Sequence, residues 1–135
     1  MSARDNKEFI RKMFADTANH VKYLAPGYVW HNPIGGGDLN VEQGMKFLAG
    51  LMAAFPDYKF TVKDQVAEGD KVVSIVTEQA THKGTFNGIP ATGKKFMIDD
   101  VHIHRIAKGK IAEVWTYPDM YSMMTQLGVI PAPKK

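Results

Sequence analysis

The chain has 135 residues, 44% of them hydrophobic and 23% charged, with a formal net charge of +3 and no cysteine. That length makes one domain, able to bury roughly two-thirds of its unfolded surface, and the lack of cysteine excludes disulfides, thiol chemistry and cysteine metal sites. The only basic pairs are Arg11-Lys12, Lys94-Lys95 and Lys134-Lys135, so the clustered stripe of a nucleic-acid binder is missing, and no apolar run approaches the ~20 residues of a membrane span.

The N-terminus is polar and charged and has no signal-type apolar core, so the expectation is a soluble cytoplasmic protein. Asp5 to about His20 places Phe9, Ile10, Met13, Phe14 and Thr17 at helical spacing. Asp5 followed by Glu8 resembles a capping arrangement. A short turn through Tyr23 and Leu24 is expected to stop at Ala25-Pro26-Gly27, before a brief extended segment from Tyr28 to Pro33. The Gly35-Gly36-Gly37 run lacks the context of a phosphate-binding loop and reads as a flexible lip. Asn40 with Gln43 signals a capped helix to Phe55, burying Val41, Met45, Leu48, Leu51 and Met52. Alternation from Tyr58 to Val66, a turn at Glu68-Gly69-Asp70 and a return from Val72 to His82 predict a strand pair.

The segment from Lys95 to Asp119 predicts a long hairpin around Gly109. Its first strand carries Asp100, His102 and His104 at a spacing of two, which puts all three on one face. Apolar residues occupy both faces (Phe96, Ile98 and Ile106; Met97, Val101 and Ile103), so the strand is expected to be covered on both sides. Its ionisable row is then either a satisfied network or a reaction site. A last short helix is predicted from Asp119 to Leu127, with Gly128 as its cap. Helices first and strands afterwards, without βαβ alternation, argue for α+β: helices on one face of a curved antiparallel sheet.

Several motifs in order resemble the SnoaL-like polyketide cyclase (ester cyclase) family. They are Phe55-Pro56-Asp57, Val66-Ala67-Glu68-Gly69-Asp70, the stretch Gly84 to Lys94, Gly109-Lys110-Ile111 with Glu113 and Trp115, and Gln126-Leu127-Gly128. The resemblance implies the cone-shaped, cystatin-like α+β barrel of the nuclear-transport-factor-two superfamily: a mixed, mainly antiparallel sheet round N-terminal helices, with one apolar cavity. It also implies ring closure of a polyketide ester by intramolecular aldol condensation, with no metal or cofactor, in a homodimer. By this resemblance His102 is the assisting strand histidine and Phe47 a substrate contact. The family's catalytic aspartate directly follows the Trp115 position, and here that position is Thr116.

A threonine hydroxyl is no base near neutral pH, so the acid/base role must pass to another group or be lost. Asp100, on the His102 face, is the first candidate. Asp119 lies three residues from Thr116, roughly 10 Å in an extended chain, and serves only if the chain turns inward at Pro118. The expected cavity walls are Met13, Phe14, Thr17, Phe47 and Leu51 against His104 and Thr116, with His31 at the mouth. His-x-His on a strand can ligate a metal, but the carboxylate of such a site is not at the needed spacing, so no metal is expected. The leading reading is a pocket for an apolar carbonyl compound, with acid–base chemistry of aldol or isomerase type. A non-catalytic binding or dimerisation module and an epoxide-hydrolase-like activity remain as alternatives.

Overall fold

The computed structural model describes residues 2–33 and 36–131; Gly35 of the glycine run and the Lys134-Lys135 pair lie outside them. Helix α1 (Ala3–Ala15) is followed by a 3-10 segment (Thr17–Tyr23), strand β1 (Leu24–His31), helix α2 (Val41–Ala54), strands β2 (Lys59–Glu68), β3 (Lys71–Thr81), β4 (Lys95–Ala107) and β5 (Lys110–Pro118), and helix α3 (Met120–Gln126). The strands form one sheet in the order β1-β5-β4-β3-β2. β1 runs parallel to β5, and every other pairing is antiparallel. The two edge strands, β1 and β2, do not pair with each other. The fold is therefore the expected mixed, mainly antiparallel α+β cone, with its sheet open between β1 and β2.

Local chemistry accounts for most boundaries. Asn40 caps α2: its side chain accepts from Gln43 N, and Gln43 reaches back to Asn40 N. In the β4–β5 hairpin, Lys108 and Gly109 both have positive φ, 51° and 74°. That is the two-residue turn that matches strand twist, and glycine relieves its cost at the second position. The register shifts between Leu24 and Val29, Val62 and Asp64, and Arg105 and Ile106 bend the strands that carry them.

Three expectations are corrected. Ser2, not Asp5, caps α1: Ser2 Oγ accepts from Asp5 N at 3.1 Å and Asp5 Oδ2 accepts from Ser2 N at 3.2 Å. The helix ends at Ala15 rather than near His20, because Asp16 draws in Asn19 and the Tyr23 hydroxyl, both at 2.8 Å. Those contacts favour the tighter, kinked turn over a continued helix. Ala25-Pro26-Gly27 does not stop the chain before a strand but lies inside β1. An edge strand tolerates proline, and the register there advances five residues along β1 while moving two along β5.

Helix α1 packs on β2 and β3, α2 on β1, and α3 on β4. One apolar cluster joins Ile10, Met13, Tyr28, Trp30 and Val114. A second joins Phe55, Phe86, Phe96, Ile98 and Met123. The outer face of the sheet is only partly covered in the single chain: Met97 is 57% exposed and Tyr117, on the neighbouring strand, 61%, while Val101 and Ile103 are half-buried. The α2 residues Met45, Leu48, Leu51 and Met52 are only half-buried, because they border open space and not solid core.

Candidate active site

The inward positions of β4 run Phe96, Ile98, Asp100, then His102, His104, Ile106. Between the helices and this face lies a cavity of about 320 Å³, bordered by members of both apolar clusters. His102 is at its polar centre. His102 Nε2 lies 2.9 Å from Glu78 Oε2 and 3.1 Å from Asp100 Oδ2. Glu78 sits on β3 opposite Ile98, while Ser74 is the partner of His102, so the glutamate side chain reaches diagonally across the sheet. The Tyr58 hydroxyl donates to the other Glu78 oxygen, Oε1.

The rings of His102 and His104 stand parallel, centroids 5.8 Å apart, with Phe14 edge-on to both. Across the hairpin, Thr116 is the direct partner of His102. Its Oγ1 accepts a hydrogen bond from Trp30 Nε1 at 3.0 Å. Asp100 Oδ1 and His104 Nδ1 are buried and unpartnered among the described residues. Such atoms are rare in folded chains and are expected where a ligand or water binds.

Environment separates the proton affinities. Burial opposes charge on His102, but the hydrogen bonds and charges of Asp100 and Glu78 outweigh it and push its pKa up to about 9. Burial raises Glu78 to about 7, a shift that His102 only partly offsets and that Asp100 reinforces. Asp100 is also desolvated, yet the His102 contact prevails and holds it below the ordinary aspartate value. His104 is pushed well below 6.5 by burial and by the charges of His102 and His20, so it stays neutral. At neutral pH the centre holds an imidazolium, a fixed carboxylate and a carboxyl group that gives and takes a proton readily.

Glu78, Asp100 and His102 each offer one atom within 4.8 Å of the others, a spacing that could hold a cation. These are the atoms that share the His102 proton, so an ion there would have to displace it. His104, the other half of the sequence's His-x-His, is not in that group.

Of the residues singled out from sequence, Asp100, His102, His104 and Thr116 converge on the cavity, and Met13, Phe14, Thr17, Phe47 and Leu51 wall it. Two do not reach it. Asp119 is exposed and its Oδ1 accepts from Ser122 N at 3.0 Å, so it caps α3 instead of turning inward after Pro118. His31 belongs to the outer face, stacked on Trp115 at 4.7 Å and bound to Glu113 at 2.6 Å and Asp38 at 3.3 Å. Sequence reasoning missed Glu78, Tyr58 and Trp30. The signal for Glu78 was present: it follows Val72, Ser74 and Val76 on the buried parity of β3, a position where a lone acid is costly.

The SnoaL-like polyketide cyclase family model matches residues 7–127. The chain is 32% identical over 110 residues to the aklanonic acid methyl ester cyclase DnrD of Streptomyces peucetius, covering 81% of this chain and 74% of that protein. It is 28% identical over 114 residues to the nogalonic acid methyl ester cyclase of Streptomyces nogalater, covering 81% and 79%. Among solved structures, AclR of Streptomyces galilaeus, described as a candidate hydroxylase, aligns with a TM-score of 0.87 at 29% identity over 99% of this chain and 87% of that one. IdmH of Streptomyces antibioticus, described as a candidate polyketide cyclase, aligns at 0.78 and 29% over 95% and 99%.

Proposed function

Because the chain belongs to the SnoaL-like polyketide cyclase family, we propose that it closes a ring in a flat, neutral polyketide ester by aldol addition, with Glu78 as the base. Glu78 takes a proton from the carbon beside a carbonyl. The enolate carbon then bonds to a second carbonyl carbon of the same molecule. The alkoxide formed there takes the proton back from Glu78. Nothing is oxidised, no atom is lost, and no co-reactant is needed.

The observation that carries this reading is the Glu78–His102–Asp100 cluster inside an aromatic-walled cavity. A base poised near the working pH is the most effective one, and burial puts Glu78 there. The imidazolium beside it stabilises the negative charge that develops on the substrate. In the resemblance this work falls to an aspartate at the position of Thr116, on β5, the strand on the other side of β4 from Glu78. Here the acid has moved from β5 to β3 and keeps the same histidine.

The test is turnover of aklanonic acid methyl ester, the compound named for the relative DnrD, by the parent and by Glu78→Gln. The amide keeps the shape and loses the base, so kcat should fall roughly 10²–10⁴-fold. Unchanged turnover in Glu78→Gln would remove Glu78 from the mechanism. A second reading, binding without turnover, draws on Thr116 standing where the family carries its acid. Tight binding with no turnover by the parent would decide for it.

A further inference from the structure

Thr116 poses a hydrogen-bonding question that a plain core threonine does not. An indole N–H can only donate, so Thr116 Oγ1 is the acceptor in its 3.0 Å bond to Trp30 Nε1. The hydroxyl proton must then go elsewhere, and among the described residues the one hydrogen bond seen at this hydroxyl is that from Trp30. Thr116 is 8% exposed and lines the cavity. We infer that the Thr116 hydroxyl, oriented by Trp30, is the donor that receives the carbonyl oxygen of the ligand. Position 116 thus binds and polarises a carbonyl and does not transfer a proton.

This inference rests on the proposed carbonyl chemistry and adds a residue to it. Trp30 is held edge-on against Phe47, centroids 5.2 Å apart, so the indole that aims the hydroxyl is itself fixed. Thr116 is the strand partner of His102 on the inner face, where the Cβ atoms of directly opposed residues lie about 5 Å apart. A carbonyl oxygen at the Thr116 hydroxyl is thus placed on the His102 side of the cavity. A satisfied structural threonine explains the acceptor side of the Trp30 bond but leaves the proton without a destination. Trp30 is a positioning residue in this account.

The test separates carbonyl recognition from turnover by using 9-fluorenone and fluorene, flat molecules that differ only in C=O against CH₂. The parent should bind the ketone about tenfold more tightly, the worth of one well-made hydrogen bond, and should lower its C=O stretching frequency in isotope-edited infrared spectra. Thr116→Val should erase both the preference and the frequency shift, and Thr116→Ser should keep both. Trp30→Phe, which retains the ring and removes the N–H, should weaken both. Equal binding of the two probes by the parent, no binding of fluorenone, or a preference and frequency shift that survive Thr116→Val would each overturn the inference. Glu78→Gln should keep the ketone preference, so a failed base assignment would show in turnover alone.

Discussion

Burial divides the labour among the ionisable groups. His102, doubly paired and raised to about 9, is a cation at neutral pH, so in the proposed reaction it cannot begin by taking a proton. Glu78, raised to about 7, can. The proposed mechanism needs Glu78 deprotonated and His102 still protonated, so kcat/KM should rise with pH through about 7 and fall through about 9. A pH–rate profile checks this, and the two limbs report the coupled cluster as a whole. A rate still climbing above pH 10 would mean that neutral His102 is the base. Stability follows the same shifts with a definite sign. His102, raised from 6.5, contributes fully below that value and loses its contribution as pH rises to about 9. Glu78 has the same sign, its contribution lost between 4.5 and about 7. Asp100, lowered, contributes at higher pH and loses its contribution as pH falls through its folded value. The row Asp100, His102, His104 was legible because a spacing of two is a local fact of strands. Glu78 joins it only through the β3–β4 register and a diagonal reach, and Thr116 acquires its role from Trp30, 86 residues away. Neither is a local pattern.

Elements were readable where short-range chemistry decides them. The α2 cap and the β4–β5 turn are each made by a few adjacent residues. The strand β1 was not readable at its start, since Ala25-Pro26-Gly27 carries a stop signal that pairing with β5 overrides. The 3-10 segment was missed for a related reason: the contacts of Asp16 with Asn19, Lys22 and Tyr23 form only once the chain has turned. Asp119 illustrates the same competition. From sequence it was a candidate acid or a helix cap, and the Ser122 contact places it as the cap. Helix α3 brings Met123 and Leu127 into the second cluster, so a weakened cap should be felt in stability. Asp119→Ala is expected to cost about 0.5–2 kcal/mol in urea unfolding, as cap removal does, with kcat unchanged. Lost turnover at full stability would instead restore Asp119 to the reaction.

At the scale of the whole molecule, the order of helices before strands made the α+β class legible, while the pairing order that leaves the sheet open between β1 and β2 rests on long-range register that no local pattern carries. The cavity could be expected only through the family resemblance. Its existence depends on α2 standing off from the sheet, with Leu48, Leu51 and Met52 half-buried along open space, and no periodicity distinguishes that from a filled core. Those side chains would be better buried against a ligand, which makes the folded state responsive to one. A compound that binds only the folded chain stabilises it by about 2.7 kcal/mol at a hundredfold excess over Kd. For a domain of this size each kcal/mol moves Tm by roughly 3–5 °C, so saturating 9-fluorenone should raise Tm by about 10 °C in scanning calorimetry. Leu48→Trp pushes an indole into the cavity from α2 and competes for the same volume. That variant should fold, bind no fluorenone and show no shift. If the shift persists in it, the ligand occupies another surface, and the cavity loses its place as the binding site.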